Sequence, residues 1–132
     1  MRATIYHNPD CGTSRNTLAI LRHVGIEPTV VEYLVTPPDR ATLRRLFNEA
    51  GLTPREAARR KGTPFDEMGL GDPAVSDEAI LEAMLAHPIL INRPLVVTER
   101  GTRLCRPSEV VLQIIPPLPT PFTKEDGEII PV

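Results

Sequence analysis

Two features of this 132-residue chain predict an α/β fold. A β-type run from Thr4 to His7 is followed by apolar residues at helical spacing, Leu18, Ile20, Leu21 and Val24, and then by a second β-type run from Thr29 to Tyr33. Connections this short make the order a parallel βαβ unit, whose crossover is right-handed in nearly all proteins. Further along, Leu95 to Thr98 and Arg103 to Cys105 flank a turn at Gly101 and read as a hairpin.

Length and composition set the frame. The chain is long enough to bury about two thirds of its unfolded surface as one domain, expected over residues 1–115. Hydrophobic residues at 41% and charged residues at 24% match a globular protein, and no apolar run approaches the ~20 residues of a membrane span. No membrane partner is expected. The N-terminal residues enter a strand without an apolar leader, so a cytoplasmic location is expected. Two cysteines, Cys11 and Cys105, are too few for a disulfide scaffold and lack metal-site spacing, so no metal is expected. The formal net charge of -2 argues against bulk-charge binding of nucleic acid. All the basic residues except Lys61 and Lys124 are arginines, a bias compatible with oxyanion recognition.

The elements follow in order. Thr13 or Ser14 is placed to cap the first helix, and Gly25 to stop it. Thr36-Pro37-Pro38-Asp39 opens a second helix with Leu43, Leu46 and Phe47 on its apolar face and Gly51 at its end. Thr53-Pro54 opens a shorter segment, Arg55 to Arg60, whose run of Arg55, Arg59, Arg60 and Lys61 would ordinarily be a solvated face. A loop with apolar anchors at Phe65, Met68 and Leu70 leads to a helix begun at Ser76 and buried through Ile80, Leu81, Met84 and Leu85. Pro94 marks the start of the strand that follows, because proline cannot sit within a central strand. Arg106-Pro107-Ser108-Glu109 opens a last helix ended by Pro116, and the proline-rich residues 116–132 read as an extended or mobile tail.

The chemistry gathers at the first strand-to-helix loop, His7-Asn8-Pro9-Asp10-Cys11-Gly12-Thr13-Ser14-Arg15-Asn16. A helix N-terminus presents unpaired N–H groups and about half a positive charge, which stabilises a thiolate beside it and any oxyanion brought to it. Free cysteine titrates near ~8.5, and such surroundings can lower it to ~3.5–7.5. His7 is a candidate cation for that effect. A buried structural cysteine would instead sit within an apolar stripe, whereas Cys11 is flanked by Pro9, Gly12, Thr13 and Ser14. Arg93, before a strand, and Arg106, before a helix, stand at element ends where side chains gather around a cleft. Spacing alone does not bring them together.

The stretch Ile5 to Leu18, with His87-Pro88-Ile89-Leu90-Ile91-Asn92-Arg93-Pro94, Gly101 to Leu112 and the tail run Phe122-Thr123-Lys124-Glu125-Asp126-Gly127-Glu128, resembles the glutathione- and glutaredoxin-dependent arsenate reductases of the ArsC family. The likeness spans nearly the whole chain. It implies a thioredoxin-like three-layer fold, a central mixed sheet flanked by helices, with a cis proline at Pro94. It also implies Cys11 as nucleophile, Arg93 and Arg106 as oxyanion holders, and a third arginine at Arg59, with Arg60 and Lys61 adjacent in register. His7 and Ser14 match loop positions that favour the thiolate. The implied partners are arsenate, glutathione as cosubstrate and glutaredoxin, with no tightly bound cofactor.

Ser14 stands where a CxxC loop has its second thiol, so this loop cannot close an internal disulfide and an external thiol is expected. Cys105 is the competing resolving thiol, but its apolar neighbours Leu104 and Val110 favour a buried structural role. Two other readings remain beside the enzyme. The Spx regulators, which bind RNA polymerase, resemble the family at the fold level but typically carry a CxxC loop. A general thiol oxidoreductase would not need arginines at positions 93 and 106.

Overall fold

The computed structural model describes all residues from Met1 to Val132, and they divide into two compact units. Unit 1 comprises Met1–Glu32 and Arg93–Val132; unit 2 comprises Tyr33–Asn92.

Unit 1 is built on a four-stranded sheet of β1 (Ala3–His7), β2 (Thr29–Glu32), β3 (Leu95–Thr98) and β4 (Gly101–Leu104) in the order β2-β1-β3-β4. β1 pairs parallel with β2 and antiparallel with β3, and β3 pairs antiparallel with β4. The predicted βαβ unit and hairpin are thus both present, joined through β1. Side chains alternate across a strand. Ala3, Ile5 and His7 therefore point to one buried face of β1 while Thr4 and Tyr6 are half-buried. Helix α1 (Gly12–His23) lays Ser14, Thr17, Ile20 and Leu21 on its buried side at helical spacing. Ile5, Ile20 and Leu21 form the core together with Val96, Cys105, Val111 and Ile114, and each large apolar side chain contributes about 1.5–3 kcal/mol by leaving water.

Three expectations change here. Neither Thr13 nor Ser14 caps α1: the N-cap is Cys11 itself, and the Ser14 side chain is turned inward. The helix expected after Pro107 is a 3-10 helix, Ser108–Ile114. Its β-branched residues Val110, Val111 and Ile114 restrict χ1 and weaken α-helix propensity, and Thr98 Oγ1 donates to the Ile114 carbonyl at 2.6 Å. Residues 116–132 are not a loose tail. Leu118 and Ile130 are buried in the core, and β5 (Phe122–Thr123) pairs antiparallel with β6 (Ile129–Ile130). Residues 116–132 are thus part of unit 1, whose second stretch runs from Arg93 to Val132. The burial of two isolated apolar residues among many prolines leaves no periodic signal, which is why the segment reads as a tail.

Unit 2 holds α2 (Arg40–Ala50) and α3 (Asp77–Ala86) with a 3-10 turn at Pro88–Leu90. Asp39 caps α2 by accepting from the Thr42 N–H at 2.8 Å, and Gly51 ends it in the left-handed region at φ 71°, where a Cβ would be strained. Ser76 caps α3 through the Ala79 N–H at 3.1 Å. Buried Leu43, Leu46, Phe47, Ile80, Leu81 and Met84 form the apolar faces of these helices. The basic run from Arg55 is not helical: the Arg59 N–H donates to the Leu90 carbonyl at 2.7 Å and the Asn92 N–H to the Ala57 carbonyl at 2.9 Å, a bridge that competes with helical pairing. Arg55 donates to the carbonyls of Leu70, Asp72 and Val75.

Replacement of Ile130, which is 6% exposed, by alanine is expected to lower the unfolding free energy by about 2–5 kcal/mol. Ile129→Ala, at a side chain 62% exposed, should stay within about 0.5 kcal/mol. Urea denaturation of the two variants checks both values and whether residues 116–132 belong to the folded unit.

Candidate active site

The strand order brings three chain segments to one edge of the sheet. β1 ends at His7; β3 runs antiparallel to it, with Leu95 opposite Tyr6; β4 runs antiparallel to β3, with Leu104 opposite Leu95. The residues after β1, before β3 and after β4 therefore share that edge, and they carry Cys11, Arg93 and Arg106. Arg93 and Arg106 each precede a cis proline, Pro94 and Pro107. Arg106 Nη1 donates to the Cys11 sulfur at 3.5 Å and to the Arg93 carbonyl at 2.9 Å.

Cys11 is 9% exposed. Burial is the largest influence on its pKa and pushes it up, but the Ser14 backbone N–H, the Arg93 and Arg106 guanidinium groups and the Arg93 charge together bring it down to about 7. Ser14 is the third residue of α1, so its amide is among those the helix leaves unpaired. The sulfur makes no close N-cap hydrogen bond with it, yet the amide faces the sulfur closely enough to favour the anion. Because a thiol titrates from neutral to anionic as pH rises, about half of Cys11 is thiolate near pH 7.

His7 and Ser14 meet beneath this loop. His7 Nδ1 lies 2.6 Å from Ser14 Oγ, and the same oxygen accepts from the Asn8 N–H at 3.1 Å. His7 is not the cation the sequence suggests. Burial pushes its pKa below the usual histidine value, with Glu32 opposing and Arg22 and Arg15 adding to the fall, so the ring is neutral at pH 7. Its geometry is instead that of a prop for Ser14, whose amide faces the sulfur. The parity of β1 explains this, since His7 shares the inward face of Ala3 and Ile5.

Cys105 is a different kind of thiol. It is fully buried, and burial, only partly offset by Arg103, raises its pKa to about 12. It donates weakly to the Arg103 carbonyl at 3.6 Å, and the structure places it in the core.

Within unit 2, Arg59 Nε donates to the Lys61 carbonyl at 3.3 Å. Arg60 is engaged differently: its Nε meets Asp66 at 2.7 Å and its guanidinium lies 5.2 Å from the Phe65 ring centroid.

Two residues beside the thiol escaped sequence reasoning. Asn8 is buried and its Oδ1 accepts from the Asp10 N–H at 3.0 Å, while Arg15 Nη1 donates to the Pro9 carbonyl at 2.9 Å. Both lie inside the loop that drew attention to Cys11, and an Asn before a proline turn is the signal for the first.

Alkylation of Cys11 by iodoacetamide, followed by peptide mapping, is expected to rise with pH around a midpoint of about 7. Arg106→Gln should move that midpoint upward, since a donor to the anion is lost while burial remains. Alkylation of Cys105 in the folded protein should be undetectable over the same range.

The chain's relationships agree with this arrangement. The model of the ArsC family matches residues 6–114. An arsenate reductase of Rhizobium meliloti (strain 1021) is 67% identical over 131 residues, covering 98% of this chain and 94% of that protein. An arsenate reductase of Escherichia coli is 56% identical over 126 residues, covering 95% of this chain and 89% of that protein. Among solved structures, the arsenate reductase from Vibrio cholerae superposes with a TM-score of 0.82 at 46% identity, over 87% of this chain and 98% of that one. The mixed α/β architecture is thioredoxin-like. On the match to its family model and the identity to these relatives, the chain belongs to the ArsC family.

Proposed function

We propose that this protein is an arsenate reductase, an oxidoreductase that converts As(V) to As(III). The observation that carries the reading is the convergence of a thiol titrating at about 7 with Arg93 and Arg106 at one sheet edge, in a chain whose relatives are named for that activity. A thiolate alone would suit many thiol exchanges. Two guanidinium groups beside it suit a tetrahedral oxyanion, which they bind through charge-assisted hydrogen bonds.

Arsenate docks against Arg93, Arg106 and the unpaired amides at the start of α1. The Cys11 thiolate attacks arsenic, a sulfur–arsenic bond forms, and water or hydroxide leaves. A glutathione thiolate then attacks the Cys11 sulfur. The new sulfur–sulfur bond forms as the sulfur–arsenic pair passes to arsenic, which departs as As(III), leaving a mixed disulfide. Glutaredoxin resolves that disulfide by thiol exchange. The loop offers Ser14 in place of a second thiol, and Cys105 holds its proton to about 12, so an external thiol completes the cycle. No tightly bound cofactor enters these steps. Glutathione and glutaredoxin chemistry suits the cytoplasm, and no helix is long and apolar enough to cross a membrane.

Arg59 is the third arginine of the anion site in this reading. The register of the family resemblance, set by Gly51 and the loop from Pro64 to Leu70, favours Arg59 over its neighbour Arg60. His7 acts through Ser14, keeping that residue's amide toward the sulfur.

Cys11→Ser should abolish arsenate turnover in an assay supplied with glutathione and glutaredoxin, while Cys105→Ser should keep most of it. Arg93→Ala should raise the KM for arsenate by about tenfold or more, the equivalent of losing one charge-assisted contact of ~1.5–3 kcal/mol. Turnover that persists when thioredoxin replaces glutathione and glutaredoxin would reject the proposed coupling, and wild-type turnover by Cys11→Ser would reject the mechanism.

A further inference from the structure

Two ionic contacts tie the turn of the β5–β6 hairpin to the two segments that bear Cys11 and Arg106. The first reaches the cysteine loop. Arg15, in the first turns of α1, donates to the Pro9 carbonyl at 2.9 Å and through Nε and Nη2 to the Glu125 carboxylate at 2.9 and 3.1 Å. The Glu125 backbone N–H donates in turn to Asn16 Oδ1 at 3.0 Å. A Cβ on Gly12 would lie 3.8 Å from Glu125 Oε1, so this carboxylate stands at the N-terminus of a helix that has no acidic residue in its own first turn.

The second contact reaches the Arg106 segment. The Lys124 ammonium lies 2.5 Å from the Glu109 carboxylate, with its side chain only 9% exposed. Glu109 also accepts from Ser108 Oγ at 2.9 Å, and Ser108 follows Arg106 by one intervening residue, Pro107. Lys124 and Glu125 are neighbours on one tight turn: the Lys124 N–H donates to the Glu128 carbonyl at 2.8 Å and the Gly127 N–H to the Lys124 carbonyl at 3.0 Å. A short hydrogen-bonded turn thus grips two segments that are distant in sequence.

We propose that Lys124 and Glu125 are positioning residues, holding the Cys11 loop and the Arg106 segment at the separation at which the Arg106 guanidinium meets the Cys11 sulfur. The Arg15–Glu125 pair is exposed and adds little to global stability, so what it contributes is geometric. Its kinetic consequence rests on the arsenate reductase reading; its geometric consequence does not.

Glu125→Gln separates positioning from a direct field effect. The charged groups around the sulfur are Arg93 and Arg106 from the other segments, with Arg15 and Asp10 on its own loop and helix. Acting only through space, removal of the Glu125 carboxylate makes the surroundings more positive and lowers the alkylation midpoint of Cys11. Releasing the clamp draws donors away and raises it. The expected result is a higher midpoint, with alkylation of Cys11 by iodoacetamide at pH 7 falling about threefold as the thiolate fraction drops. Lys124→Gln should raise the KM for arsenate about fivefold with kcat within about twofold, and Lys124→Arg should restore it by renewing the contact with Glu109. An unchanged or lowered midpoint in Glu125→Gln overturns the proposal, even if the melting temperature falls, because a merely structural contact gives that pattern. Unchanged KM in Lys124→Gln overturns the role of Lys124. A raised midpoint in Glu125→Gln beside an inactive wild-type protein would uphold the clamp and reject the arsenate reading.

Discussion

A cysteine only 9% exposed to water must remain half ionised at neutral pH, and this requirement governs the arrangement of unit 1. Burial works against the anion and is the largest single influence on it. The opposing donors are one backbone amide and two guanidinium groups, and none of them alone outweighs desolvation. Each must arrive from a different part of the chain. The Ser14 amide comes with the helix, Arg93 with the start of β3 and Arg106 with the end of β4.

The sheet order meets that requirement. Parallel pairing of β1 with β2 needs the long crossover that α1 supplies, and this puts a helix N-terminus directly after β1. Antiparallel pairing of β1 with β3, and of β3 with β4, returns the two arginines to the same edge. A parallel β3 would carry Arg93 to the opposite edge. The buried side of the loop is equally constrained, since the face of β1 that carries Ile5 also turns His7 toward Ser14 and leaves the imidazole neutral.

Features that rest on local pattern are legible in the amino-acid sequence. Asp39, Gly51 and Ser76 mark helix ends because capping depends on neighbouring residues alone. The reactive surroundings of Cys11 are legible for the same reason, as a turn-rich loop between a strand and a helix. The meeting of Cys11, Arg93 and Arg106 is not, because it depends on strand pairing between residues some 80–95 positions apart, and only the family resemblance suggests it. The charge state of His7 misleads because strand parity buries a residue whose usual pKa would leave it partly charged. The segment 116–132 misleads because its hold on the core comes from Leu118, Ile130 and single polar contacts with α1, none of them periodic.

Unit 1 is discontinuous in sequence, with residues 33–92 lying between its two parts. This has a consequence during synthesis. While the ribosome is still adding residues up to Arg93 and Arg106, the emerging chain already contains Cys11 but lacks both cations that make it acidic. Contacts of such long sequence separation form late, after the loop between them has closed. The nascent thiol is therefore an ordinary one, mostly protonated at neutral pH. The acidity of Cys11 is therefore acquired on folding, when Arg93 and Arg106 reach its sulfur.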